Sequence, residues 1–354
     1  MAYDPFARGP YPVGVRTFQW TDAARDQRVL PVEVWYPATD AHRGQDVAVA
    51  TRDQYELIPG FPPGWQEAVR DAAARGDRAP LVIFSHGFGG HRRQSTFLCT
   101  HLASHGYVVA SMDHTGNTIV ETMQTILAKQ MGEPQPDIDV LVPPLMAARP
   151  PDASFVIDRL VAGVDGVPAV DAARIGMTGH SFGGWTTLMT VGRDARIRAA
   201  LPLAPAGGWS PLPTEPLSAA LEFAWDRDVP TLYLVADRDT LLPLRGMHEL
   251  HGRTRGSKRM VVLENADHMH FCDRIEEVHE LFRMMPPPVF DSLVKDILPI
   301  AELCAPDSAY DFTRGLGLAH MDAHVRGVEA AAAFLAGDLV ATLAARNVRA
   351  AVAT

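Results

Sequence analysis

The sequence predicts an α/β fold with a mostly parallel central sheet flanked by helices and interrupted by helical or irregular cap insertions. Two observations carry this. Short β-branched runs alternate with longer segments of helical spacing, the pattern of strands joined by crossover helices. Several runs, such as Leu81-Val82-Ile83-Phe84 and Thr231 to Val235, are apolar almost throughout, as strands buried on both faces are. A third observation sets the insertions: segments of about 115–151, 204–228 and 271–316 break the rhythm, and the first and third are rich in proline. The whole chain, 1–354, is read as one domain, as α/β folds of this size often are.

In chain order, Val13 to Trp20 and Val29 to Trp35 alternate apolar and polar residues around a turn-like Thr21 to Gln27, which predicts an antiparallel start. Residues 38–79 are polar and rich in Gly, Pro and Asp, and read as loop with one short helix. Leu81 to Phe84 is a strand opening into Ser85-His86-Gly87. Gln94 to Ser104 has helical spacing, Gly106 breaks it, and Tyr107 to Met112 is the next strand. After the first insertion, Ala153 to Val161 resumes as a helix with Asp152 as N-cap. Arg174 to Thr178 is a strand and Trp185 to Val191 a helix. Ala199 to Leu203 and Thr231 to Val235 are strands on either side of the second insertion. Leu244 to His251 is helical, Met260 to Leu263 is the last strand, and one long Ala-rich helix closes the chain from Asp322 to about Ala345.

Composition narrows the function classes. Lys plus Arg is 32 and Asp plus Glu is 42, a net charge of −10, which disfavours nucleic acid and anionic membrane surfaces. The apolar runs are strand-length, well short of the ~20 residues of a transmembrane helix. Cys99, Cys272 and Cys304 are far apart with no CxxC pair, and are expected as reduced thiols. The opening MAYDPFARGPYPVG has neither a basic n-region nor an apolar h-region. A cytoplasmic location is therefore the expectation, with a mature secreted form as the alternative.

The chemistry is concentrated in four places. Gly179-His180-Ser181-Phe182-Gly183 matches G-x-S-x-G, with a strand before it and a helix after it. A serine on so sharp a turn needs neighbours without Cβ atoms. A serine hydroxyl is a weak nucleophile and needs a base, itself oriented by a carboxylate. Asp237 and Asp239 compete for the carboxylate, both just past the run Thr231 to Val235. His268 and His270 compete for the base. His268 follows a short polar turn directly off a strand, which suits a loop-borne base, and His270 suits pocket wall or packing. A His-x-His metal site lacks an accompanying Cys, Asp or Glu cluster, so neither metal nor cofactor is expected. The oxyanion of a tetrahedral intermediate needs two N–H donors. Phe182 follows the nucleophile, and Phe88 lies in the glycine-rich loop Ser85 to Gly90.

With these residues in place the chain resembles the α/β-hydrolase superfamily. Within it, the chain is similar to the dienelactone-hydrolase-related group, which includes platelet-activating-factor acetylhydrolase-like esterases and bacterial polyester or dialkyl-ester hydrolases. The passages that carry the likeness are Leu30 to Pro37, Phe84 to Gly90, Leu102 to Val109, Gly179 to Gly184 and Asp267 to Phe271. The resemblance implies Ser181 as nucleophile, Asp239 as orienting acid (four residues before Pro243) and His268 as base. It also implies the N–H groups of Phe88 and Phe182 as oxyanion donors. Dienelactone hydrolase itself uses a Cys nucleophile, and Ser181 here points to carboxylic esters generally.

The expected function is therefore serine-dependent hydrolysis of a small-molecule hydrophobic ester, alkyl or aryl, extending to diesters or polyesters. A peptidase or amidase on the same three residues is the alternative, followed by a non-catalytic binding protein of this fold. Met131, Met146, Trp209 and Phe223 in the insertions read either as cap packing or as an apolar acyl or alcohol pocket.

Overall fold

A computed structural model describes residues 3–57, 62–135 and 137–353 of the chain; Pro136, within the first expected insertion, lies outside them. β1 (Val13–Asp22) and β2 (Arg28–Pro37) pair antiparallel, with Val13 opposite Pro37 and Asp22 opposite Arg28. Residues 38–79 hold more than loop. β3 (Asp53–Tyr55) and β4 (Gly64–Gln66) form a separate small hairpin, and β5 (Val69–Arg70) joins β1 at the edge of the main sheet. These strands are two or three residues long, too short for period-two alternation to register. Side chains hold the hairpin to the sheet. Trp35 Nε1 donates to Gln66 Oε1 at 2.7 Å, and Gln66 Nε2 donates to Glu33 Oε1 at 3.3 Å.

The remaining elements alternate. β6 (Ala79–Ser85), α1 (Thr96–Ser104) and β7 (Val108–Met112) lead into α2 (Ile119–Gln130) and α3 (Ile138–Val161). β8 (Val170–His180), α4 (Phe182–Arg193), β9 (Ile197–Leu203) and the short α5 (Glu215–Ala220) follow. Next come β10 (Thr231–Ala236), α6 (Leu244–Arg253), β11 (Lys258–Leu263) and α7 (Ile275–Met284). The chain closes with α8 (Pro306–Met321), α9 (Glu329–Ala336), α10 (Leu339–Ala344) and β12 (Ala350–Ala353).

Among the described residues the main sheet has ten strands in the order β12-β11-β10-β9-β8-β6-β7-β2-β1-β5. From β7 to β11 every neighbouring pair is parallel. β7 lies on one side of β6 and β8 on the other, so the winding reverses at β6. The crevice at the carboxyl ends of β6 and β8 is thus the place where such sheets bind ligands. Both faces are covered. One apolar cluster joins α1 and α8 to the sheet through Leu98, Leu102, Phe312 and Leu316. A second seats the C-terminal half of α3, with Val156, Ile157 and Leu160, on the opposite face.

Two expectations about helices are corrected. A helix is predicted only over Ala153–Val161, capped by Asp152, but the structure begins it at Ile138, with Asp137 as N-cap. Asp152 is therefore a buried mid-helix residue. Pro143, Pro144, Pro150 and Pro151 all lie inside α3, and each removes one N–H from the ladder, so the local pattern reads as broken. Burial of Leu145, Arg149, Ala153 and Val156 at helical spacing holds the helix together. The long Ala-rich helix from Asp322 is also broken. A π turn over Asp322–Arg326 ends at Gly327 with φ 71°, and Gly337 separates α9 from α10. The last strand is not at Met260–Leu263. β12 pairs antiparallel outside β11, with Met260 opposite Ala353 and Leu263 opposite Ala350. Its Ala-rich sequence carries little β signal. The helix α8 starts at Pro306, inside the segment read as the third insertion, and packs in the core.

Candidate active site

Ser181 stands between β8 and α4 at φ 59° and ψ −118°, a region costly for any residue with a Cβ. The surroundings enforce it. Ser181 N–H donates to Leu203 C=O at 2.9 Å, and Ser181 C=O accepts from Ala206 N–H at 2.9 Å. A Cβ on Gly183 would lie 1.8 Å from Ser85 C=O, and one on Gly179 would lie 2.4 Å from Gly183 C=O. Only glycine lets β6 and α4 approach this closely, and that approach brings the loop after β6 beside the start of α4.

Asp239 lies in the loop after β10. Its Oδ1 accepts from Leu241 N–H at 3.0 Å and Leu242 N–H at 2.8 Å, which fixes the carboxylate, and its Oδ2 meets His268 Nδ1 at 2.7 Å. Asp237 is occupied elsewhere, accepting from Ala266 N–H at 3.2 Å. His268 opens the 3-10 turn His268–Phe271 after β11, capped by Asp267. Because Nδ1 bears the proton donated to Asp239, Nε2 is the lone-pair nitrogen. His270 serves a different purpose. Its Nδ1 meets Asp267 backbone atoms, and its Nε2 meets Cys304 C=O at 3.3 Å, so the His-x-His pair does not converge.

His268 is nearly fully buried, which alone would depress its pKa. The negative charge and hydrogen bond of Asp239, with Asp267 adding to them, outweigh burial and raise it above the ordinary histidine value. Asp267 is raised to about 6 by burial and by the neighbouring Asp239 charge.

Ser181 and His268 line one apolar cavity of about 60 Å³ together with Phe88, Phe182 and Leu217. A larger cavity of about 290 Å³ adjoins it across Phe88 and Ile138 and carries polar groups, Asn117, Thr122 and Glu121 among them. Phe182 is the first residue of α4, so its N–H lies outside the intrahelical ladder, at the positive end of the helix dipole. Phe88 lies in the loop after β6, the strand beside β8. Pocket wall is contributed by α3 (Ile138, Val142), by the segment after β9 (Leu212, Thr214) and by Phe290 beyond α7.

A solved structure, a ferulic acid esterase from Streptomyces cinnamoneus, matches 91% of this chain and 93% of its own at 26% identity, with a TM-score of 0.65. The chain has the α/β-hydrolase fold. Residues 15–141 match the family described as platelet-activating factor acetylhydrolase, isoform II. The chain is 25% identical over 244 residues to platelet-activating factor acetylhydrolase of Cavia porcellus, covering 57% of this chain and 55% of the relative. It is 27% identical over 198 residues to cutinase est1 of Thermobifida alba, covering 55% and 54%. The chain thus spans about half the length of these curated relatives.

The sequence did not single out Gln94, His180 or Arg149, which the structure places around the site. His180 Nδ1 accepts from Gln94 Nε2 at 2.8 Å, and its Nε2 donates to His268 C=O at 3.0 Å. The ring lies 4.4 Å from that of His268 and props it from behind. Gln94 Oε1 also accepts Gly87 N–H at 2.9 Å. No local pattern marks them: Gln94 lies between Arg93 and Ser95, His180 between Gly179 and Ser181, and Arg149 between Ala148 and Pro150.

Proposed function

We propose that the chain is a serine carboxylic ester hydrolase working through an acyl-enzyme. One observation carries the reading. Asp239 and His268 are joined at 2.7 Å, and His268 shares the wall of an apolar cavity with Ser181, which sits on a strained turn at its edge. The names of the matched proteins, a cutinase, an acetylhydrolase and a ferulic acid esterase, support an ester as substrate.

In this reading Ser181 Oγ attacks the ester carbonyl carbon while His268 Nε2 takes its proton. Asp239 holds the imidazole in the right tautomer and stabilises the imidazolium. The carbonyl oxygen becomes an oxyanion that accepts hydrogen bonds from the N–H groups of Phe88 and Phe182. The intermediate collapses, the C–O bond to the alcohol breaks, and His268 returns the proton to the departing alkoxide. Water then attacks the acyl-enzyme, gives a proton to His268, and the acid leaves as Ser181 recovers its proton.

The small cavity beside Ser181 is lined almost wholly by carbon, which favours hydrophobic alkyl or aryl esters, diesters and polyesters included. A clear preference for charged or sugar esters in a substrate panel would count against this part. The test of the reaction is Ser181→Ala on a p-nitrophenyl short-chain ester. The expected result is a loss of at least ~10⁴-fold in kcat and no labelling by a fluorophosphonate probe. Near wild-type turnover by that variant would reject the reading.

A further inference from the structure

We propose that Arg149 is the positioning residue of the oxyanion site: from inside the fold its guanidinium sets the plane of the Gly87–Phe88 peptide, whose N–H faces the developing negative charge. This rests on the serine-hydrolase reading above and deepens it.

Arg149 lies on α3 and has no solvent exposure. Among the described residues no carboxylate lies within ion-pairing distance of it. Its polar contacts instead go to the loops around the site. Nη1 donates to His86 C=O at 2.8 Å, and Nη2 donates to Gly87 C=O at 3.0 Å and to Asn117 Oδ1 at 2.9 Å. A weaker contact reaches Thr186 Oγ1 at 3.4 Å. The guanidinium also stacks over the ring of Phe182, 4.3 Å from its centroid. Burying a cation without a paired carboxylate is unfavourable, and an apolar side chain would fill the same space without that desolvation. The location of its contacts supplies a reason to keep it.

A peptide group is planar, and in the trans form its C=O and N–H point in opposite directions. Gly87 C=O and Phe88 N–H belong to one such plane, so holding the oxygen aims the nitrogen. A charge-assisted hydrogen bond on the oxygen also polarises the group and makes its N–H a stronger donor. Gly87 C=O is gripped by more than Arg149. It accepts from His86 Nδ1 at 2.7 Å and from Gly90 N–H at 3.2 Å. His86 Nε2 accepts His114 N–H at 3.0 Å, so the ring proton is on Nδ1. His114 is itself held between Ser85 Oγ and Asp152 Oδ2, each at 2.9 Å. Arg149 and Asp152 are three residues apart on α3, so one helix turn reaches both the loop after β6 and the loop after β7. The stacking on Phe182 gives Arg149 a hold on the residue that carries the other donor.

The test is Arg149→Lys, which keeps the charge but loses the planar fork that spans two carbonyls. The substrate is p-nitrophenyl butyrate, and rates are expressed per site titrated with a fluorophosphonate. We expect kcat to fall about ten- to a hundredfold, less than the loss of a whole donor, with KM changed by under about threefold. Affinity for an alkyl trifluoromethyl ketone, which Ser181 converts to a tetrahedral adduct, should fall by the same factor as kcat/KM. Affinity for the matching methyl ketone should stay unchanged. A merely structural Arg149 would lower the thermal midpoint and the titrated fraction, leaving the per-site kcat and both ketone affinities as in the wild type. That outcome overturns the proposal. Should Arg149→Lys not fold, Asn117→Ala removes one anchor of the guanidinium. A several-fold parallel loss in kcat and trifluoromethyl ketone affinity then supports the proposal, and unchanged values overturn it. Absence of Ser181-dependent hydrolysis in the wild type would instead remove the underlying reading, so the two failures are distinguishable.

Discussion

Asp239 illustrates how much one side chain can be asked to do. One carboxylate oxygen is spent on two backbone N–H groups of its own loop, and the other faces His268. Asp239→Asn keeps the shape but presents an amide to Nδ1, favouring the wrong tautomer. Under the proposed mechanism kcat should fall by on the order of 10³–10⁴-fold with little change in KM, and steady-state kinetics would show it. The base must be neutral to accept a proton, so kcat/KM should rise with pH through the His268 pKa. That pKa is raised, burial being outweighed by Asp239 and Asp267, so the limb should lie above the ordinary histidine range in the free enzyme. Asp267→Asn removes one of the raising charges and keeps an oxygen for His268 N–H. The limb should then move to lower pH, and an unmoved pH–rate profile would show that Asp267 does not act on the base. The sequence marked Ser181, Asp239 and His268 as candidates because short motifs carry their own spacing. It gave no sign that His180, held by Gln94, would back His268, or that Arg149 would hold the loop around Gly87, because those contacts join residues 86 and 88 apart, or 62 and 63 apart.

At the scale of elements, the turn from β8 to α4 and the helix α3 show two opposite cases. The turn was legible because glycine is the only residue that fits, and its positions can be read directly. Gly183→Ala would drive a Cβ into Ser85 C=O at 1.8 Å. We expect that variant to be insoluble or, where soluble, devoid of turnover, as solubility and esterase assays would report. The helix α3 was illegible over its first half because proline reads locally as a breaker, whereas tertiary burial decides. Asp152 is the clearest casualty of the local reading. Instead of capping a helix it accepts from Arg25 at 2.7 Å, from Arg28 at 2.7 and 2.8 Å, and from His114. Burial alone would raise its pKa, but these partners hold it below the usual carboxylate range. A depressed folded pKa stabilises the fold above the unfolded value near 4, and that stability is lost as pH falls through the folded value. Asp152→Ala should therefore cost about 3 kcal/mol near neutral pH and less in acid, measured by urea unfolding at both.

At the scale of the whole molecule, β12 closes one side of the sheet. β12 covers the edge of β11, whose residues Met260 to Leu263 are almost wholly buried. A chain cut after Val348 would leave that apolar strand with unpaired N–H and C=O groups, a template for intermolecular pairing. Its thermal midpoint should fall by several degrees, and light scattering should show concentration-dependent association. An unchanged midpoint with a monodisperse profile would mean that β12 is dispensable. The parallel centre of the sheet was readable from runs of Val, Ile and Leu, since burial on both faces demands them. Its edge strands β5 and β12 and the separate hairpin of β3 and β4 were not, because two to four residues cannot display a period.

By itself the sequence determined the α/β class, the succession of the central strands along the chain, the glycine-lined turn at Ser181 and the short list from which an acid and a base would come. Each of these is written within a few neighbouring residues, where sterics and hydrophobic period act locally. Only the tertiary structure decided which aspartate faces His268, that a proline-rich segment is a helix, and that a buried arginine reaches the loop of Phe88. Those outcomes depend on which distant surfaces bury each other, and burial is a property of the packed chain rather than of any stretch of it.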